Sequence, residues 1–294
     1  MKIIHSLSGI LLIMLQIASP APLLAAEEPL LVAGSTTLLR IVSQAAKDFT
    51  AHYHTWNQAH PALPNEPIVI LTSGGGSGFG AEAAINGAVH LGMVSRQLKE
   101  KEKKALGEHQ TFLVGYDAVA IAVNQNNPLA KIKKDLTQQE LASLFSGEQR
   151  TYKELDPSLP DHEVELFGRE PDAGSTETLQ ETILKEKKMA EHLRQFASQQ
   201  SLFRKLAHEK WAIGYLSASF AIQNKQLHVF SLDGAPMTQE AIIQGRYPLM
   251  RPLQIVVKGG ATPKARQFID YVLSTGQTIV KNLNYIPAQH KNQR

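Results

Sequence analysis

The stretch Phe167-Gly-Arg-Glu-Pro-Asp-Ala-Gly-Ser-Thr-Glu-Thr178 decides how the chain folds. Val164 to Phe167 is short and alternating enough for a strand, and the residues from Glu177 to Lys185 read as a helix. Gly174, Ser175 and Thr176 therefore stand at a helix N-terminus. The first turn of a helix has backbone N–H groups without intrahelical partners, and about half a positive charge collects there. An anion is the natural occupant of such a place. Arg169, at the end of the strand, adds a fixed charge and a planar donor fork suited to an oxyanion. Taken alone, the same residues also describe an ordinary capped helix with a surface arginine.

The construction recurs twice earlier. Leu30 to Ala33 reads as a strand, Gly34-Ser-Thr-Thr37 as a turn, and Leu38 to Tyr53 as a helix with a buried face at Leu38, Leu39, Val42, Ala45, Ala46 and Phe49. Ser35 and Thr36 suit N-caps or ligand donors equally. Pro67 to Leu71 is a second strand. It runs into Ser73-Gly-Gly-Gly-Ser77-Gly-Phe-Gly80 and then a helix from Ala81. So dense a glycine run implies positive φ or close approach of the backbone to something else. Three strand–turn–helix junctions, each centred on hydroxyls, imply an anion held by helix ends.

Further along, His90 to Val94 is a short strand ending at Ser95-Arg96. Lys99-Glu-Lys-Glu-Lys-Lys104 alternates in sign and reads as a solvated helix face. Thr111 to Asn124 is β-rich, with Asp117 alone in it, either facing water at a strand end or lying in a site. Leu136 to Phe145 is a helix and Tyr152 to Asp161 a loop. A helix runs from the decisive junction to about Ala190, and another covers 200–209. Strands fall at 211–216, 227–231 and 253–257, the last after a kinked turn at Tyr247-Pro-Leu-Met-Arg-Pro252. Helical segments close the chain. Strands alternating with helices predict an α/β class with mostly parallel sheets.

Composition excludes several functions. The 294 residues carry 30 basic and 27 acidic side chains, a net charge of +3. That balance, without a basic run interleaved with aromatics, argues against nucleic acid as a partner. With no cysteine there is no disulfide, thiolate metal site, cysteine nucleophile or lipid-anchor cysteine. Met1 to Ala26 has a basic start, an apolar core of about ten residues and small residues at its end, the pattern of a cleaved secretory signal. His52, His54 and His60 lack metal-site spacing, and neither metal nor cofactor is expected. Gly76-x-Gly78-x-x-Ala81 fits the dinucleotide fingerprint only loosely, because the acidic residue due at the next strand end is Ser95-Arg96 instead. Phe79 spoils a nucleophile elbow at Ser77, no P-loop is present, and no histidine stands in any junction. The pattern is one of binding without catalysis.

Gly34-Ser-Thr-Thr, Gly76-Ser-Gly-Phe-Gly, Gly92-Met-Val-Ser-Arg, Gly168-Arg-Glu-Pro-Asp-Ala-Gly-Ser, Ile213-Gly-Tyr, Tyr247-Pro-Leu-Met-Arg-Pro and Tyr285-Ile-Pro occur in that order. In this the chain resembles the phosphate-binding proteins of bacterial ABC phosphate importers, the PstS-like group, from about Leu30 to Pro287. The resemblance implies a type II periplasmic binding protein: two α/β lobes with an interlobe cleft, residues 27–117 and 230–294 forming the first lobe and 118–229 the second. It implies a monomeric, exported protein that binds inorganic phosphate and passes it to a membrane ABC permease. Residue by residue, Thr36 and Thr37 match the first anion-contacting turn and Ser77 the second. Ser95 stands where one branch of the family has a cleft aspartate and another has Ser-Arg. Arg169 matches the cleft arginine, and Ala173, Gly174 and Ser175 match the family's Ser-Gly-Thr turn.

Two departures matter. Ala173 lacks a hydroxyl, which leaves only its backbone N–H; a lost hydrogen bond to an anion weakens binding by about 1.5–3 kcal/mol. No aspartate stands at position 95. A carboxylate that accepts the proton of phosphate is a means of rejecting sulfate, and Asp117, then Asp172, are the candidates for it. Three helix ends would supply roughly +1.5 charges, and Arg169 would bring the sum near that of a phosphate dianion. The alternatives are binding or sensing of a sulfate-like oxyanion, a receptor-docking protein uncoupled from transport, and a phosphatase-like enzyme.

Overall fold

The computed structural model describes residues 28–288 except Gln223; the expected signal segment 1–26 lies outside them. Twelve strands are present among the described residues: β1 (Leu30–Gly34), β2 (Ile70–Ser73), β3 (Leu91–Val94), β4 (His109–Asn124), β5 (Asp135–Leu136), β6 (Glu165–Arg169), β7 (Arg194–Phe196), β8 (Ala212–Ser217), β9 (Leu227–Val229), β10 (Ser231–Leu232), β11 (Met250–Lys258) and β12 (Ile286–Pro287). Ten form one sheet in the order β2-β1-β3-β11-β4-β8-β6-β7, with β12 and β9 also on β4, while β10 pairs with β5. Both wings are parallel, β2–β1–β3 at one end and β8–β6–β7 at the other. Between them β4 and β11 run antiparallel to their neighbours.

The 16-residue β4 joins the wings. Its first half pairs with β11 from His109↔Lys258 to Ala118↔Met250, and its second half with β8 from Val119 to Val123. The hydrophobic cores divide at the same place. Val114 packs with Leu30, Leu38, Phe49, Leu253 and Phe268, whereas Ala118 to Val123 pack with Phe145, Phe167, Leu206 and Tyr215. The return segment also carries Phe230, Leu232, Tyr247 and Leu249 into this second core. The end of β4 is covered on both faces, so its apolar residues run on without alternation.

Most elements fall where patterning puts them, and the exceptions have local causes. The strand read at 67–71 forms at Ile70–Ser73 instead. Pro67 lacks the N–H that a ladder needs, and makes only an isolated bridge to Thr55. The turn read at 247–252 is partly strand, since β11 begins at Met250 and includes Arg251 and Pro252. Pro252 is tolerated because β3 pairs only with Gln254–Val256, so at Pro252 only the β4 side is occupied. The helix read to about Ala190 ends at Leu184 in a π-helical turn, followed by Lys185 at φ 53°. Tyr152–Leu155 is a short helix capped by Thr151, not a loop.

Candidate functional site

Three helix starts meet between the two cores. Thr36–Tyr53 begins after Ser35, whose side chain accepts a hydrogen bond from Leu38 N. Ser77–Ile85 begins after Gly76, and Gly174–Leu179 begins after Ala173. The glycine run satisfies both conditions its density implied. Gly75 and Gly76 have φ of 146° and 93°, and a Cβ on Gly76 would lie 2.5 Å from the carbonyl oxygen of Asp172.

The hydroxyls converge as the junctions predict. Ser77 and Ser95 are buried with their Oγ atoms 3.1 Å apart, and Ser95 N donates to Ser77 Oγ at 3.0 Å. Gly174 faces them: a Cβ there would lie 2.5 Å from Ser77 Oγ, 2.9 Å from the Ser95 carbonyl oxygen and nearer still to Ser95 Oγ. Ser175 Oγ is buried and has no hydrogen-bond partner among the described residues. A buried polar group left so costs about 1–3 kcal/mol. Ala173 is buried and offers no side-chain cap, and its N–H already donates to Glu170 O at 3.0 Å. The N–H that the sequence left to Ala173 is therefore taken. The open donors of this turn are the N–H groups of Gly174, Ser175 and Thr176.

Arg169 is 1% exposed. Its Nη1 and Nη2 donate to Thr36 Oγ1 at 3.3 and 3.4 Å, and its Nε and Nη2 donate to the carbonyls of Phe196 and Ala197 at 2.8 and 3.1 Å. Glu170 also pairs with it, Arg169 Nε to Oε2 at 2.9 Å, so its charge is compensated from within the chain. Tyr215 fixes the end of β6. Its hydroxyl lies 2.8 Å from Thr176 Oγ1 and accepts from Arg169 N at 3.3 Å, and burial pushes its pKa up to about 12.

Asp117 is buried, not at a water-facing strand end. It lies opposite Arg251 in the β4–β11 ladder. Arg251 Nη2 and Nε donate to Asp117 Oδ2 at 2.7 and 3.2 Å, while Nη2 also reaches Thr37 Oγ1 at 3.2 Å and Nη1 reaches Ser95 Oγ at 3.4 Å. Sequence reasoning missed Arg251. The motif around it was visible, but its partner stands 134 residues earlier. Asp172 is exposed, and it is its backbone carbonyl that reaches the site region, accepting from Gly78 N at 3.4 Å.

The charged run at 99–104 differs from expectation. Glu102 is buried and takes two hydrogen bonds from Arg96, at 2.7 and 2.8 Å. Arg96 also pairs with Glu177, and Lys99 Nζ donates to the same carboxylate at 2.7 Å. Burial works against the Arg96 charge, but bonds to Glu102 and Glu177 outweigh it and hold its pKa above the ordinary value. Burial likewise opposes the Glu102 carboxylate, but the Arg96 hydrogen bond overrides it and keeps its pKa low. Glu177 thereby ties the helix that starts at Gly174 to the segment after β3.

Two arginines, each matched by a carboxylate, and three helix starts lined with hydroxyls are brought together here. The fold defines a class, the PBP superfamily: its domain model matches residues 19–275, and the chain belongs to it. Within that class the chain belongs to the PstS family. It is 30% identical over 268 residues to phosphate-binding protein PstS of Bacillus subtilis (strain 168), covering 90% of this chain and 82% of the relative. It is 26% identical over 275 residues to phosphate-binding protein PstS of Staphylococcus haemolyticus, covering 89% and 81%. A Clostridium perfringens crystal structure, described as a phosphate ABC transporter substrate-binding protein with bound phosphate, superposes with a TM-score of 0.75 at 25% identity. It covers 89% of this chain and 100% of that one. The fold is the type II periplasmic binding fold the resemblance implied. Among the described residues no helix is long and apolar enough to cross a membrane.

Proposed function

We propose that the protein binds inorganic phosphate outside the cytoplasm and delivers it to a membrane ABC importer. The observation that carries this is the unpartnered Ser175 hydroxyl, buried where the three helix starts and Arg169 meet. An anion there gives that hydroxyl a partner and receives the first-turn N–H groups. The proposed ligand set is Thr36, Thr37, Ser77, Ser95 and Arg169 with Gly174 and Ser175; Ala173, whose N–H is held by Glu170, drops out of it. Asp117 stands behind it. Because Glu170 neutralises Arg169 and Asp117 neutralises Arg251, attraction comes mainly from helix ends and aligned donors, not net side-chain charge.

The proposed movement is closure of two lobes, 27–117 with 230–294 and 118–229, about the crossing strands. Support comes from the two cores that divide along β4 and from contacts across the division, such as Arg169 to Thr36 and Arg96 to Glu177, although Phe230, Leu232, Tyr247 and Leu249 pack with the second core, which moves the return to the first lobe from 230 to about Met250. Closure excludes water and strengthens each hydrogen bond to the anion. The protein acts as an exported monomer after removal of residues 1–26, without catalysis and without a cofactor.

Calorimetric titration of the ligand-stripped protein with phosphate and with sulfate at neutral pH tests the function. Saturable phosphate binding at one site, with weak or no sulfate heat, is expected. Sulfate binding as tightly as phosphate would replace the ligand and keep the fold, and no heat from either would reject the assignment.

A further inference from the structure

The buried Arg251–Asp117 pair is built into the sheet, not onto it. Antiparallel register sets the two residues opposite each other, both side chains are about 1% exposed, and both guanidinium donors directed at Asp117 end on Oδ2. The rest of the fork points the other way, Nη1 to Ser95 Oγ and Nη2 to Thr37 Oγ1. Those two hydroxyls belong to the proposed ligand set, so the guanidinium stands between the recess and the carboxylate. A planar fork held along one edge presents its remaining N–H groups in a fixed direction.

We infer that Arg251 is a second cationic donor to the bound oxyanion, and that Asp117 is a positioning residue for it and not the acceptor of a phosphate proton. The inference rests on the oxyanion-binding function proposed above and deepens it. Asp117 fixes the rotamer of Arg251 and compensates its buried charge. Since Arg251 bridges from Asp117 to the Thr37 and Ser95 hydroxyls, the guanidinium and not the carboxylate faces the oxyanion, and Asp117 does not discriminate protonated phosphate from sulfate. Tyr285 supports the same construction from the far side, its hydroxyl donating to the Thr37 carbonyl at 3.4 Å.

The test compares the wild type with Arg251→Lys, Asp117→Asn and the double variant Asp117→Asn/Arg251→Gln, each titrated with phosphate and with sulfate after a melting curve. Arg251→Lys keeps the charge and loses the fork, and it should weaken phosphate about ten- to hundred-fold, the equivalent of one or two charge-assisted hydrogen bonds. Asp117→Asn should weaken both anions by the same factor, leaving the phosphate-to-sulfate ratio unchanged; a merely structural role would not lower affinity in a variant that melts like the wild type. Should Asp117→Asn fail to fold because Arg251 is left uncompensated, the double variant removes both charges, and an unchanged ratio is again expected. Loss of phosphate affinity with sulfate affinity kept or raised would overturn the inference and make Asp117 the proton acceptor. Unchanged affinity in Arg251→Lys would also overturn it. A wild type that binds sulfate and not phosphate would refute the proposed ligand, while equal weakening of sulfate by these variants would uphold the role of Arg251. A wild type that binds neither ion overturns both.

Discussion

Gly174→Ala isolates the contact on which the recess depends. The helix beginning at Gly174 approaches Ser77 and Ser95 so closely that a Cβ would sit 2.5 Å from Ser77 Oγ, where ordinary contact begins near 3.4 Å. Ser95 Oγ is nearer still, so the helix start must retreat by about 1 Å, or the serines must turn away from one another. Overpacking of this kind costs about 1–3 kcal/mol, which lowers affinity roughly five- to 150-fold at about 1.4 kcal/mol per decade. The obstruction lies between segments belonging to different cores, so it opposes the closed arrangement and not the folding of either core. The assay is calorimetric titration with phosphate, paired with a melting curve of the ligand-free protein. The expected result is a normal melting temperature with affinity reduced into that range. Wild-type affinity in Gly174→Ala would refute the close approach and with it the claim that these three turns share one ligand.

Ser175→Ala removes the unpartnered hydroxyl, so the ligand-free protein should melt at the wild-type temperature or slightly above. Phosphate affinity should fall about ten- to hundred-fold by titration. Arg169→Ala should weaken phosphate at least as much, and unchanged affinity there would remove Arg169 from the ligand set. The Glu102 carboxylate gives a pH signature. Its pKa in the folded protein lies below the ordinary value of 4.5 because Arg96 binds the charged form, so its contribution is complete above that value and is lost as pH falls through the lower, folded pKa. In melts below about pH 4.5, Glu102→Gln should therefore show a shallower loss of stability than the wild type, and parallel curves would exclude a role for this carboxylate in acid unfolding.

Local chemistry was legible in the sequence, and pairing at a distance was not. Gly34-Ser-Thr-Thr and Gly174-Ser175 marked their helix starts, the first through a Ser35 cap, whereas the helix read from Ala81 begins at Ser77, because Gly76 before it supplies no capping side chain to mark the boundary. Ser95 and Arg169 were legible as strand ends. Arg251 was not, because its meaning depends on a cross-strand register with Asp117 that no local pattern encodes. Glu170 escaped for a different reason: a carboxylate next to an arginine reads as surface charge until the burial of Arg169 is known. The sign-alternating run at 99–104 misled in the same way, since Glu102 turns inward to an arginine on the preceding segment. Pro252 suggested a turn and proved to be a strand residue paired on its β4 side alone.

The most direct measurement is a crystal structure of the protein with phosphate bound. One phosphate is expected in the recess, within hydrogen-bond distance of Ser175 Oγ, the N–H groups that follow Ser35, Gly76 and Ala173, and both Arg169 and Arg251. A phosphate found elsewhere, or one contacting Asp117 while Arg251 points away, would contradict the account.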